Sequence, residues 1–156
     1  MSGFTHIDET GAARMVDVSA KDVTVRTARA TGRVLLAEQA VALLRSGEVP
    51  KGDALGTARI AGIMGAKRTP DLVPLCHPIA LHGVKVELAV ADDGVDIVAL
   101  VRTADRTGVE MEALTAVSVA ALTLIDMVKA VDPAAVITDV RVEEKTGGKT
   151  GTWTRP

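Results

Sequence analysis

The 156-residue sequence predicts an α+β fold, a four-stranded antiparallel sheet with its helices packed on one face. Three observations lead there. Two alternating apolar runs flank Asp92-Asp93-Gly94, the pattern of a β-hairpin. Between Val109 and Val131, residues Leu114, Val117, Ala121, Leu124 and Val128 recur at three- and four-residue spacings, the period of one helix face. Two further strand-like runs, one toward each end of the chain, complete the sheet.

Residues 1–14 are polar and contain glycine, so they read as a flexible N-terminal arm before a single domain at 15–156. Met15-Val16-Asp17-Val18-Ser19 reads as a short extended piece. Val23, Val25 and Thr27 alternate through a strand reaching about Ala30, with Gly32 marking its end. The Ala- and Leu-rich run from Val34 to Leu44 reads as a helix stopped near Gly47. Asp53 is placed to cap a second helix, Ala54 to about Ala66. Its glycines, Gly56, Gly62 and Gly65, each lower helix propensity by roughly 1 kcal/mol relative to Ala. They make sense where another backbone packs closely. Residues 68–82 hold Pro70, Pro74 and Pro78 and read as a shaped loop with one short turn at most. The hairpin then pairs Val84–Val90 with Val95–Val101, Pro133 ends the long helix, and Val136 to Glu144 is a last strand running into a Gly-rich C-terminal tail. This order is nearest to a ferredoxin-like sandwich with one extra helix in the first crossover.

Composition narrows the function classes. The chain is 47% hydrophobic but 1% aromatic, so its core must be built from Ala, Val, Leu and Ile. Mean hydropathy is positive, which points to further apolar surface buried between copies of the chain. A net charge of -2, one Phe, one Trp and no Tyr argue against nucleic-acid binding. The start of the chain shows no signal-like apolar run, and the later apolar stretches read as too short or interrupted to span a membrane. Cys76 is the only cysteine, which excludes an intrachain disulfide and a multi-thiolate zinc site. A cytoplasmic location is expected.

The ionisable residues attach to short, unusual local sequences: Lys51-Gly52-Asp53, Lys67, Pro74-Leu75-Cys76-His77-Pro78, Glu110-Met111-Glu112, Asp126 with Lys129, and the loop from Lys145 to Lys149. Glu112 and Asp126 share one stripe of the long helix but lie about 21 Å apart along it. They therefore serve opposite ends of a long ligand, join different sites at an interface, or solvate the helix ends. Asp126 and Lys129 are three residues apart and share a face. In a pocket, such a pair can bind and move protons. Pro78 holds His77 extended, so Cys76 and His77 should point to opposite sides, His77 to hydrogen bonding or proton transfer and Cys76 to packing. His82 completes no recognised metal-ligand set with them, and no metal site is expected; His82 and His6 read as surface histidines. Thr146 to Gly151 offers backbone N–H groups beside Lys145 and Lys149, a phosphate grip without P-loop spacing, although such a tail alone is more often a flexible terminus.

Taken in order, Thr5–Asp8, Ala13–Val18, Lys51–Asp53, Ala58–Ile63, Pro74–Pro78, Thr107–Ala116, Asp126–Ala130 and Gly147–Gly151 resemble the cyclic pyranopterin monophosphate synthase family of molybdenum cofactor biosynthesis. The resemblance covers nearly the whole chain. It implies a ferredoxin-like subunit in a homohexamer of three dimers, with active sites at the dimer interface. It also implies a lyase that converts 3',8-cyclo-7,8-dihydroguanosine 5'-triphosphate to cyclic pyranopterin monophosphate and pyrophosphate. By the same resemblance Asp126, Lys129 and Lys51 are catalytic. Leu75, Cys76, His77, Met111, Glu112, Lys67 and Lys145 contact substrate, and Glu110, Asp17 and Lys149, in or beside the same segments, join them. Val128 stands where the family more often has a polar or thiol-bearing residue, a change expected to be silent. No cofactor is required, and magnesium can accompany the triphosphate. Two other readings stand beside this one: a nonenzymatic nucleotide-binding oligomer and a purely structural self-associating protein.

Overall fold

The computed structural model describes residue 3 and residues 5–156, so the expected arm at 1–14 lies partly outside the described residues. Its elements are β1 (Thr24–Leu35), α1 (Glu38–Ser46), α2 (Ala54–Lys67), α3 (Thr69–Leu72), β2 (Gly83–Ala91), β3 (Gly94–Asp105), α4 (Glu110–Val128), β4 (Val136–Thr146) and β5 (Trp153–Thr154). They build one sheet in the order β2-β3-β1-β4-β5, with every neighbouring pair antiparallel.

Strand alternation puts the core on one side of this sheet. Ala28 lies opposite Val101, Ala30 opposite Ala99 and Val34 opposite Val95, and all six are fully buried. Over them lies α4, which contributes Ala113, Ala116, Val117, Ala120, Ala121 and Leu124 at helical spacing. α2 packs beside α4 and over β2. The expected glycine contact is present: a Cβ on Gly62 would stand 2.8 Å from the Ala116 carbonyl oxygen, and one on Gly65 would strike Val119. Asp53 caps α2 as expected, its carboxylate accepting from the Gly56 N–H at 2.9 Å. Gly47 ends α1 with a φ of 74°, the left-handed conformation that glycine adopts without strain.

Several expectations are corrected. Gly32 does not end β1, which continues to Leu35. A Cβ at Gly32 would meet Val117 at 2.6 Å, so this glycine lets α4 approach the strand. Val34 and Leu35 pair with Val95 and Gly94 and belong to the sheet, so α1 starts later, at Glu38. Non-local pairing overrides the local helix propensity of the 34–37 stretch. The sheet has five strands, not four. Gly147, Gly148 and Gly151 all take positive φ and return the tail, so that Trp153 and Thr154 pair with Lys145 and Glu144. α4 stops at Val128, before Pro133, as the N–H groups of Val131 and Asp132 both turn back to the Val128 carbonyl. Asp132 also accepts from the Ala37 N–H at 2.7 Å, tying this turn to the end of β1. Finally, α4 is by length and composition apolar enough to cross a membrane, contrary to expectation; its apolar run instead forms the centre of the core.

Candidate functional site

The N-terminal end of α4 forms one wall of a cleft of about 270 Å³. The 74–78 loop supplies Leu75, Cys76 and His77, the first turn of α4 supplies Glu110, Met111 and Glu112, and the segment before β1 contributes Val16 and Lys21. Glu112 is only 2% exposed, on a helix whose first turn has no side-chain cap. Its Oε1 accepts from the Cys76 thiol at 3.3 Å, while Oε2 is buried without a hydrogen-bond partner among the described residues. Burial pushes the Glu112 carboxyl above its usual range, because charge is disfavoured away from water. Burial, followed by repulsion from the Glu112 carboxylate, pushes the Cys76 thiol up to about 12. Cys76 is thus a fixed donor to Glu112, where packing alone was expected.

His77 turns to a different partner than Cys76, in keeping with its extended backbone: its Nε2 is hydrogen-bonded to the Val16 carbonyl. Because a carbonyl only accepts, Nε2 carries the proton in this arrangement. Glu110 reaches the other way, and its Oε1 lies 3.1 Å from the Lys145 ammonium at the end of β4. Asp17 is exposed and accepts from the Ser19 N–H at 2.9 Å. Those Ser19 hydrogen bonds hold its carboxyl below the usual range. It lies in a shallow hollow beside His77, outside the Glu112 cleft.

The C-terminal end of α4 is a different environment. Asp126 Oδ1 lies 2.7 Å from Lys129 Nζ, and Oδ2 lies 3.1 Å from Lys51 Nζ. Lys129 first, then Lys51, keeps the Asp126 carboxyl below its ordinary range. All three side chains are roughly half exposed. Within one chain this triad and the Glu112 cleft stay apart at opposite ends of the helix. Lys67 is exposed at the end of α2, and Lys149 lies on the glycine loop, where it lines a second cavity that shares Lys21 with the cleft.

Sequence reasoning did not single out Lys21, Thr107 and Gly108, which also line the cleft. Thr107 and Gly108 lead directly into Glu110, a position that could have flagged them. Among the described residues, no three or more His, Cys, Asp or Glu side chains gather as a metal-ligand group.

Such an arrangement suits a small anionic molecule that also carries N–H or O–H groups, and the chemistry it supports is proton transfer. The sequence signature of the MoaC family matches residues 15–148, and this chain belongs to that family. It is 78% identical over 152 residues to the cyclic pyranopterin monophosphate synthase of Streptomyces coelicolor, covering 97% of this chain and 89% of that protein. A protein of the same name from a Nocardioides species is 70% identical over 156 residues, covering 98% and 96% of the two chains. Cyclic pyranopterin monophosphate synthase 2 of Mycobacterium tuberculosis is 62% identical over 152 residues, covering 97% and 91%.

Proposed function

We propose that this chain is a cyclic pyranopterin monophosphate synthase, a lyase that converts 3',8-cyclo-7,8-dihydroguanosine 5'-triphosphate to cyclic pyranopterin monophosphate and pyrophosphate. The observation that carries this reading is the 78% identity to a relative of that name across 97% of the chain. The site geometry agrees with it. Opening and reclosing a purine-derived ring needs repeated proton transfers, and the Lys51–Asp126–Lys129 triad can supply them. Asp126 anchors both ammonium groups; Lys129 and Lys51 move protons and stabilise developing negative charge. Glu112, with Oε2 unpartnered, accepts an N–H of the base, and His77 and Met111 help to orient it. Lys67, Lys145 and Lys149 add positive charge toward the phosphates, and Glu110 sets the position of Lys145. Proton transfer and phosphate displacement need no resident cofactor, and magnesium can enter with the triphosphate.

The two ends of α4 become one site when two copies pair. Between Glu112 and Asp126 the helix carries no charged residue, and Leu122 on its outer side is 60% exposed. Ile60 and Met64 on α2 add apolar surface that is 61% and 56% exposed. A two-fold axis that sets α4 antiparallel to its copy brings the Asp126 end of one chain to the Glu112 end of the other, making two equivalent sites. Three such dimers form the hexamer. The strand order β4-β1-β3-β2 supports a ferredoxin-like core to which β5 is added. Thr5 and His6 bring the N-terminal stretch to the cleft, and the enzyme works in the cytoplasm.

The test is anaerobic incubation with the cyclised guanosine triphosphate and product identification by mass spectrometry, with D126A and K129A in parallel. Product and pyrophosphate from wild type but not from the variants support the reading. Intact substrate after incubation with an assembled, substrate-binding wild type would favour a binding module instead.

A further inference from the structure

Lys145 stands between two distant parts of the chain. In β4 it lies opposite Ala28, which faces the core, so its side chain leaves the sheet on the helix side. There its ammonium lies 3.1 Å from Glu110 Oε1, at the start of α4. On its other flank Lys145 is paired with Trp153 across β4 and β5, and directly paired residues put their side chains on the same face of a sheet. The indole, Lys145, Glu110 and Val142 together line a hollow of about 280 Å³, and Glu110 also lines the Glu112 cleft. The hollow and the cleft therefore share a wall.

Although β5 is only two residues long, it is held from both sides. Before it, Gly147 and Gly148 take φ of 91° and 76° to turn the tail back, and a Cβ on Gly147 would run into the Val25 carbonyl oxygen. After it, Arg155 donates its backbone N–H to the Glu143 carbonyl at 2.8 Å and its Nε to the Val142 carbonyl at 2.8 Å. The same Nε lies 3.7 Å from the Glu143 carboxylate, and the guanidinium stands 5.8 Å from the centre of the indole. Glu110 by itself does not fix Lys145. Their side chains are 29% and 40% exposed, and an ion pair so open to water leaves a long lysine stem mobile. An aromatic wall on the second flank restricts that stem and screens the pair from water on one side.

We infer that Trp153 is a positioning residue for Lys145: β5 carries the sole indole of the chain to the flank of that lysine, and the indole and Glu110 together hold its ammonium at the edge of the cleft. That Lys145 meets phosphate there rests on the function proposed above, whereas its positioning can be tested without it.

The first measurement is trace acetylation of the full-length protein with acetic anhydride, read lysine by lysine by peptide mass spectrometry. Lys85, exposed on β2 at the opposite edge of the sheet, is the internal control. Relative to Lys85, W153A should acetylate at Lys145 about two- to fivefold faster than wild type, the scale of an exposed ion pair or cation–aromatic contact. W153F should restore most of the protection, and both variants should melt near wild type because Trp153 is exposed. The second measurement is steady-state kinetics with the cyclised guanosine triphosphate. W153A should raise KM about three- to tenfold with kcat little changed, K145A should raise it at least as much, and W153A added to K145A should raise it no further. Equal acetylation of Lys145 in wild type and W153A would overturn the positioning role, as would a W153A effect on KM that persists undiminished in K145A. Absence of turnover in wild type would count against the proposed function alone, and acetylation would still decide the role of Trp153.

Discussion

Glu112 and Asp126 are both carboxylates on α4, fourteen residues apart, and the protein treats them in opposite ways. Glu112 is 2% exposed, with a thiol on one oxygen and no partner among the described residues on the other, and its carboxyl is pushed toward the protonated form. Asp126 is about half exposed, gripped by two ammonium groups, and held firmly as an anion. The difference shows that residue type on a helix fixes little about a carboxyl's role. The surroundings decide: burial beside the Cys76 thiol makes a hydrogen-bonding acid, and two nearby lysines make a charge anchor.

The strongest way to break this contrast is to remove the anchor. D126A should lower kcat about 10²- to 10⁴-fold, the range for loss of a positioned acid–base group. Its melting temperature should stay near that of wild type because the triad is exposed; a large fall in stability would show a structural role for Asp126 instead. At the other end the sharpest probe is Cys76. With its thiol pushed up to about 12, far less thiolate is present at pH 8 than for an ordinary cysteine, and the greater nucleophilicity of that thiolate offsets only part of the loss, so alkylation by iodoacetamide should be slowed by about tenfold or more. E112Q should remove part of this protection, and an alkylation rate in wild type equal to that of free cysteine would contradict the burial of the Cys76 thiol against Glu112.

A smaller effect, felt at both ends of the helix together, comes from Gly62. G62A places a methyl group 2.8 Å from the Ala116 carbonyl and should cost about 1–3 kcal/mol, read as a fall in melting temperature of about 2–10 °C. The smallest effect is a pH signature of Glu112. A carboxyl whose folded-state pKa is raised binds more protons folded than unfolded, so it supports folding below its ordinary value of 4.5 and penalises it as pH rises beyond. E112Q removes the penalty. Its melting temperature should exceed that of wild type at pH 8 and converge with it at pH 4, and a difference independent of pH would refute the assignment.

Features set by local pattern were legible in the sequence. The Asp92-Asp93 turn, the core face of α4, the Asp53 cap and the close contact at Gly62 each follow from spacing or from one residue type in place. Features set by distant pairing were not. Gly32 lies inside β1 because Val117, 85 residues away, needs room there, and Val34 joins the sheet because it pairs with Val95. The site divides in the same way. Asp126 and Lys129 could be joined from their spacing, whereas the Cys76 thiol meets Glu112 across 36 residues and Lys21 joins two cavities from a segment with no periodic signal.

Trp153, the sole tryptophan in a chain without tyrosine, lies with Val142, Glu110 and Lys145 around a small hollow and carries the Arg155 guanidinium 5.8 Å from its ring. Selectively excited fluorescence of the whole protein therefore comes from one indole beside the Lys145–Glu110 contact. A ligand that draws Lys145 away should change the brightness or colour of that emission, which gives occupancy in real time from an unlabelled protein.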